Sequence, residues 1–183
     1  MKIAIVVGHN ADEQGAIRCI DGRTEFDWNS DLARLIQTHN SSAVRIFNRT
    51  SKGYWWQEID RVYRATDAWG ATVTAELHFN SVANPQPSGS VTLSSGTTRS
   101  YEMSELVQDA CVAALNLRDR GVRILQPKDR GGRSLWKGRA PACMLEPYFG
   151  SNADDCRRAD VFQADLARHV YEALAKSARR FSA

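Results

Sequence analysis

The chain has no long apolar run, no Cys-x-x-Cys spacing, few prolines and no dense stripe of one charge. Each absence removes a class of protein. No segment is long and apolar enough to span a bilayer as a helix, so stable membrane insertion is not expected. The first residues enter a β-branched stretch directly, without the pattern of a signal peptide, which predicts synthesis in the cytoplasm. The 4 cysteines, Cys19, Cys111, Cys143 and Cys156, stand far apart and read as free thiols rather than a disulfide framework or a thiolate metal site. Basic residues exceed acidic ones only by 24 to 21, and they gather at Lys128, Arg130 and Arg133, at Arg157 and Arg158, and at Lys176, Arg179 and Arg180. A nucleic-acid reader carries a denser basic stripe or a reader motif, so no nucleic-acid partner is expected. The clusters read as solvated faces and helix C-terminal charges, with an anionic envelope surface as the other use. No internal repeat, low-complexity tract or linker interrupts the 183 residues, and 43% hydrophobic content suits a single domain with a core of its own.

What is present is an alternation of apolar runs and helical spacing. Strands are expected over residues 2–7, 43–47, 71–78, 89–93 and 142–146, and helices over 29–38, 56–69, 101–116 and 159–178. That order predicts an α/β fold: a mostly parallel, twisted sheet with helices on both faces.

Three of these strands end on residues that do chemistry. The run from Ile3 to Val7 closes on Gly8-His9-Asn10, a turn signal, and the strand ending at Leu77 continues into His78-Phe79-Asn80-Ser81. In open α/β sheets the crevice beyond the strand C-termini is where ligands bind, so the two imidazoles can converge there. Glu25 lies after a glycine-containing loop, just before Trp28, Leu32, Leu35 and Ile36, whose spacing is helical. A carboxylate at a helix start points back toward the strand ends. Two imidazoles and one carboxylate leave a fourth tetrahedral position open, the pattern of a catalytic zinc site, and histidine nitrogen suits zinc better than calcium or magnesium. Glu146 ends the strand containing Ala142, Cys143, Met144 and Leu145. There it can serve as general base and then pass the proton to a leaving amine, which is the chemistry of amide hydrolysis.

Four segments carry a resemblance in register: Val7-Gly8-His9 with Gly15-Ala16; Glu25 with Asn29; Glu76 to Ser81; and Pro141 to Asn152. Together they resemble the zinc-dependent N-acetylmuramoyl-L-alanine amidases of the type 3 family, with weaker echoes at Arg49-Thr50, Arg61 and Asp119-Arg120-Gly121-Val122. The resemblance implies one zinc ion held by His9, Glu25 and His78, Glu146 as the catalytic glutamate, and peptidoglycan as substrate. The bond cut would be the amide joining the lactyl group of N-acetylmuramic acid to the first L-alanine of the stem peptide. Residues 1–183 would then form one catalytic domain without a separate wall-binding domain, similar to a phage-type endolysin. Such an enzyme waits in the cytoplasm until a separate membrane-permeabilising protein lets it reach the periplasm or wall.

Two positions depart from the family pattern. Glu76 stands where a small polar residue is usual, and Cys143-Met144 replaces an aliphatic pair. Strand alternation puts Glu76 on the same side as His78 and Asn80, and a carboxylate on a buried strand must be paired or lie near a cation. It either supports or competes with the metal ligands, or pairs with an arginine. Asn80 and Trp136 are candidates for the surroundings of the ligands or the substrate, Trp136 as an aromatic on the cleft rim in the stretch 126–138. The Tyr54-Trp55-Trp56 cluster reads as a hydrophobic staple and first core turn of a helix, with stacking on sugar or peptide as the other use. Three rivals remain: a zinc peptidase cutting elsewhere in the stem, a non-catalytic wall-binding module, and a thiol hydrolase pairing Cys143 with His78. Against the last, a thiol among apolar residues has a raised pKa.

Overall fold

The computed structural model describes residues 1–182 and arranges six strands in one sheet. The strands are β1 (Ile3–Val7), β2 (Val44–Asn48), β3 (Val73–Leu77), β4 (Ser90–Ser94), β5 (Asp119–Ile124) and β6 (Ala142–Glu146), in the order β2-β1-β3-β6-β4-β5. The helices are α1 (Glu25–Thr38), α2 (Trp55–Trp69), α3 (Thr98–Leu115), α4 (Gly132–Lys137), α5 (Ala153–Val161) and α6 (Gln163–Ser182). β2, β1, β3 and β6 run parallel, β4 is antiparallel to β6, and β5 is parallel to β4. The expected α/β architecture with a mostly parallel sheet is therefore what the chain adopts.

Every residue of β1 and β3 is buried, as befits central parallel strands covered on both faces. On one face Ile3, Ile5, Val7, Val73, Ala75, Leu77, Cys143 and Leu145 join the large cluster of α1, α3, α5 and α6, with Trp28, Leu32, Met103, Leu166 and Leu174 at its centre. On the other, Val6 and Ala142 meet Ile59, Val62 and Tyr63 of α2, while Met144 meets Leu135 of α4 and Leu125. The register pairs Val7 with Leu77 and Leu77 with Leu145, so three parallel strands end level. This alignment positions the site.

Four differences from the expected elements have local causes. α1 begins at Glu25 rather than at 29 because the Thr24 hydroxyl caps it, accepting from the Asp27 amide at 3.2 Å. The helix expected over 159–178 is two helices that meet at Phe162, whose φ of −107° and ψ of 18° are not helical. β5 is an exposed edge strand with the sequence Asp-Arg-Gly-Val-Arg-Ile, which has no apolar run to announce it. α4 has six residues, too few for a helical period to register.

Candidate metal centre

The backbone beyond β1 and β3 brings both histidines inward. Gly8 extends the ladder by donating its amide to Leu77 O at 3.0 Å, and His78 does the same to Leu145 O at 2.9 Å. His9 then turns through a left-handed conformation at φ 65°, uncommon for a residue with a side chain and a mark of a position held by its surroundings. Two glycines make room for the rings. A Cβ on Gly8 would lie 2.5 Å from the His78 ring and 2.5 Å from Leu77 O; one on Gly15, itself at φ +79°, would lie 2.6 Å from the His9 ring. The ring centroids end 5.2 Å apart at 71° to one another.

Glu25, the first residue of α1 and only 5% exposed, sits between them. Its Oε1 lies 2.6 Å from His78 Nδ1 and accepts the Phe79 amide at 3.2 Å. Its Oε2 lies 3.2 Å from His9 Nε2 and accepts the Ala16 amide at 3.3 Å. One potential ligand atom from each of His9, Glu25 and His78 falls within 4.8 Å of the others, so the structure brings together the three residues expected to share an ion. Burial alone would raise the Glu25 carboxyl; hydrogen bonds from His78 and His9 outweigh it and hold the group well below the usual carboxylate range. For His78 the same contest runs the other way. Burial disfavours the imidazolium, but Glu25 and Glu76 on its two nitrogens raise its pKa to about 10.

Glu146 stands at the end of β6 and accepts a hydrogen bond from Asn80 Nδ2 at 2.8 Å on Oε2. Asn80 is tied to the same edge, since its amide donates to Tyr148 O at 2.9 Å. Burial raises the Glu146 carboxyl above its ordinary value, the nearby His78 opposes that, and the negative charge of Glu25 adds to it.

Glu76 is fully buried, and its two possible partners turn out not to exclude each other. Oε1 lies 3.1 Å from His78 Nε2 and 3.7 Å from Arg49 Nη1; Oε2 accepts from the Tyr63 hydroxyl at 2.8 Å. Arg49 Nη2 also lies 3.4 Å from Glu58 Oε2, which accepts from Asn10 Nδ2 at 3.0 Å. Sequence reasoning assigned no site role to Arg49, Glu58, Tyr63 or Asn10. Arg49 and Asn10 follow strand ends, a signal that could have drawn attention to them; Tyr63 and Glu58 lie within a helix and carry none.

Trp136 is 41% exposed, its indole N–H donates to Leu125 O at 2.9 Å, and no hydrogen bond among the described residues joins it to the cluster. The Tyr54-Trp55-Trp56 group does not form the first core turn of α2: the three are 71%, 59% and 40% exposed, and the helix start is instead closed by Gln57 Oε1 accepting the Tyr54 amide at 2.9 Å. Cys143 is fully buried in the apolar cluster of the opposite face, where burial pushes its thiol up and out of nucleophilic use. His39 stacks on Tyr171 and His169 lies beside Arg168, both away from the site.

Residues 3–176 match the family of N-acetylmuramoyl-L-alanine amidases, a span that holds all of the residues just described. The chain belongs to that family. As a member it is a hydrolase of the peptidoglycan amidase class. Its fold is shared with the catalytic domain of CwlV, an N-acetylmuramoyl-L-alanine amidase from Bacillus (Paenibacillus) polymyxa var. colistinus, at a TM-score of 0.80 and 19% identity, over 96% of this chain and 97% of that one. It is likewise similar to the catalytic domain of the CD27L endolysin targeting Clostridia difficile, at a TM-score of 0.79, 20% identity and coverage of 96% and 97%. A putative amidase from Neisseria meningitidis follows at 0.69 and 19%, over 96% and 94%. No curated protein matches the chain in sequence.

Proposed function

We propose that this amidase is zinc-dependent and cuts the bond between the lactyl group of N-acetylmuramic acid and the L-alanine of the stem peptide, with Glu146 as general base. The observation that carries this reading is the convergence of His9, Glu25 and His78 within 4.8 Å at one level strand edge that also carries Glu146. The donor set fits zinc: two imidazole nitrogens and one carboxylate make a three-ligand set that leaves a position for substrate, and nitrogen donors suit calcium and magnesium poorly. When bound, zinc would supply Lewis acidity, polarising the scissile carbonyl and acidifying water.

The chain's own residues do the rest. The Phe79 and Ala16 amides hold the Glu25 carboxylate from behind, fixing its direction toward both imidazoles. Asn80 donates to Glu146 Oε2 and so orients the carboxylate, whose other oxygen takes the proton from the attacking water and then delivers it to the departing L-alanine amine. Burial, by raising the Glu146 pKa, makes that carboxyl a better match for both halves of the transfer. The substrate class and the similarity to an endolysin catalytic domain support a role in lysis. In that role these residues supply the catalytic domain, which reaches the wall once a separate membrane-permeabilising protein gives it passage.

The test is mass spectrometry of purified peptidoglycan digested with and without a zinc chelator. Free stem peptides beginning at L-alanine, lost with chelator and restored by zinc, are expected. Cuts elsewhere in the stem would make the enzyme a zinc peptidase, and no release from zinc-loaded protein would leave a binding module.

A further inference from the structure

The carboxylate of Glu76 meets His78 on the nitrogen that Glu25 does not use. Glu25 lies at Nδ1 and Glu76 at Nε2, on different edges of the ring, so an ion shared by His9, Glu25 and His78 is out of reach of Glu76. Both Glu76 oxygens are engaged, one toward His78 and Arg49, the other by the Tyr63 hydroxyl. A carboxylate on a strand with five buried residues needs such partners to be tolerated, and here each partner comes from a different element: Tyr63 from α2, Arg49 from the end of β2.

We propose that Glu76 is a positioning residue for the metal centre: held by Tyr63 and Arg49, it accepts the Nε2–H of His78 and fixes the tautomer and ring orientation that present Nδ1 to zinc. The inference rests on the zinc reading above and adds to it a support drawn from β3 and α2. A histidine ligand whose other nitrogen donates to a carboxylate is a more basic and better oriented donor than one left to water. The same polar network reaches the second histidine. Arg49 pairs with Glu58, Glu58 accepts from Asn10 Nδ2, and Asn10 Oδ1 accepts the Asp12 and Glu13 amides at 2.9 and 2.8 Å, shaping the loop that carries His9.

The experiment is a zinc titration by competition with a chromophoric chelator on wild-type protein, Glu76→Gln and Tyr63→Phe, with thermal unfolding of each metal-free protein alongside. Glu76→Gln is expected to weaken zinc binding by about 10- to 100-fold, and Tyr63→Phe by less, because it loosens the carboxylate without removing it. A wild type that binds zinc while Glu76→Gln binds it equally well, whatever happens to its melting temperature, would reduce Glu76 to a structural part and overturn the inference alone. A wild type that takes up no zinc would overturn the metal reading with it. A second measurement needs no variant: in the 15N spectrum of zinc-loaded wild type, His78 should carry its proton on Nε2 and the metal on Nδ1. The reverse assignment would rule the proposal out even if the variant failed to fold.

Discussion

The two faces of the sheet are built on opposite plans. Along β3, Val73, Ala75 and Leu77 point into the large apolar cluster beneath α1, α3 and α6, where nearly every neighbour is aliphatic or aromatic. Thr74 and Glu76, one residue out of phase, face α2 and α4, and the buried side chains there include Glu58, Glu76 and Tyr63, with Arg49 close by. One face holds the chain in place by removing apolar surface from water. The other accepts buried charge because each charge is paired, and those pairs lead to the two histidines. The contrast teaches that in this fold the rigid support and the chemistry share a strand, separated by alternation alone.

The largest expected effect strikes the polar side. Glu146→Gln keeps shape and hydrogen-bonding capacity but removes the proposed base, so turnover of peptidoglycan should fall by about 10²- to 10⁴-fold. Zinc affinity and melting temperature should stay at wild-type values. Undiminished stem-peptide release by this variant would take the base assignment away from Glu146.

Gly8→Ala tests how tightly the histidines are fitted. Its Cβ would meet both the His78 ring and Leu77 O at 2.5 Å, and a carbonyl in the sheet cannot swing aside as a flexible side chain can. A displaced His78 should lower activity on the order of 10²-fold through misplacement of the site, with a parallel loss of zinc affinity. If zinc titration and turnover both match wild type, the cradle is looser than the contact distances imply.

On the apolar face Leu166→Ala should do the reverse. Leu166 is fully buried in α6, and removing its side chain should cost ~2–5 kcal/mol of stability by denaturant unfolding. Turnover per folded molecule should not change, since Leu166 belongs to the apolar cluster on the face of the sheet away from Glu76 and its partners. A specific loss of activity at a temperature where the variant is fully folded would mean that the two faces are coupled more closely than alternation suggests.

The same division explains what could be read in the sequence. Alternating apolar runs announced β1, β3 and β6, and their polar terminations announced His9, His78 and Glu146, because central strands need apolar residues and their ends are where polarity first becomes affordable. Glu25 was legible from the helical spacing behind it, although the Thr24 cap that sets the first turn was not. β5 escaped because an edge strand with exposed charges needs no apolar run. The partners of Glu76 escaped for a different reason. Arg49 and Tyr63 lie 27 and 13 residues before it in sequence, and only the packing of α2 and β2 against β3 makes neighbours of them. The Tyr54-Trp55-Trp56 cluster shows the limit of composition: aromatics at a helix start suggest a core turn, whereas this helix is closed by a glutamine and leaves them exposed.

The smallest effect should be a dependence on pH confined to the polar face of the metal-free protein. Burial alone would raise the Glu76 carboxyl, but His78, Arg49 and Tyr63 lower it from an ordinary 4.5 to about 2. Its contribution to stability is therefore present above pH 4.5 and lost as pH falls through about 2. His78 is raised from 6.5 to about 10, so its contribution is complete below pH 6.5 and lost as pH rises through about 10. Both contributions are whole only between 4.5 and 6.5, and chelator-treated protein should melt highest in that window. The apolar face offers no counterpart near neutrality, because burial pushes the thiols of Cys111 and Cys143 far to the alkaline side. In Glu76→Gln the acid limb should shrink, and the alkaline limb should move toward neutrality, because only Glu25 then remains to hold the His78 proton. A melting temperature that stays level from pH 5 to 9 in the wild type would mean that His78 is not held between two carboxylates in solution, and the division between the two faces would lose its electrostatic half.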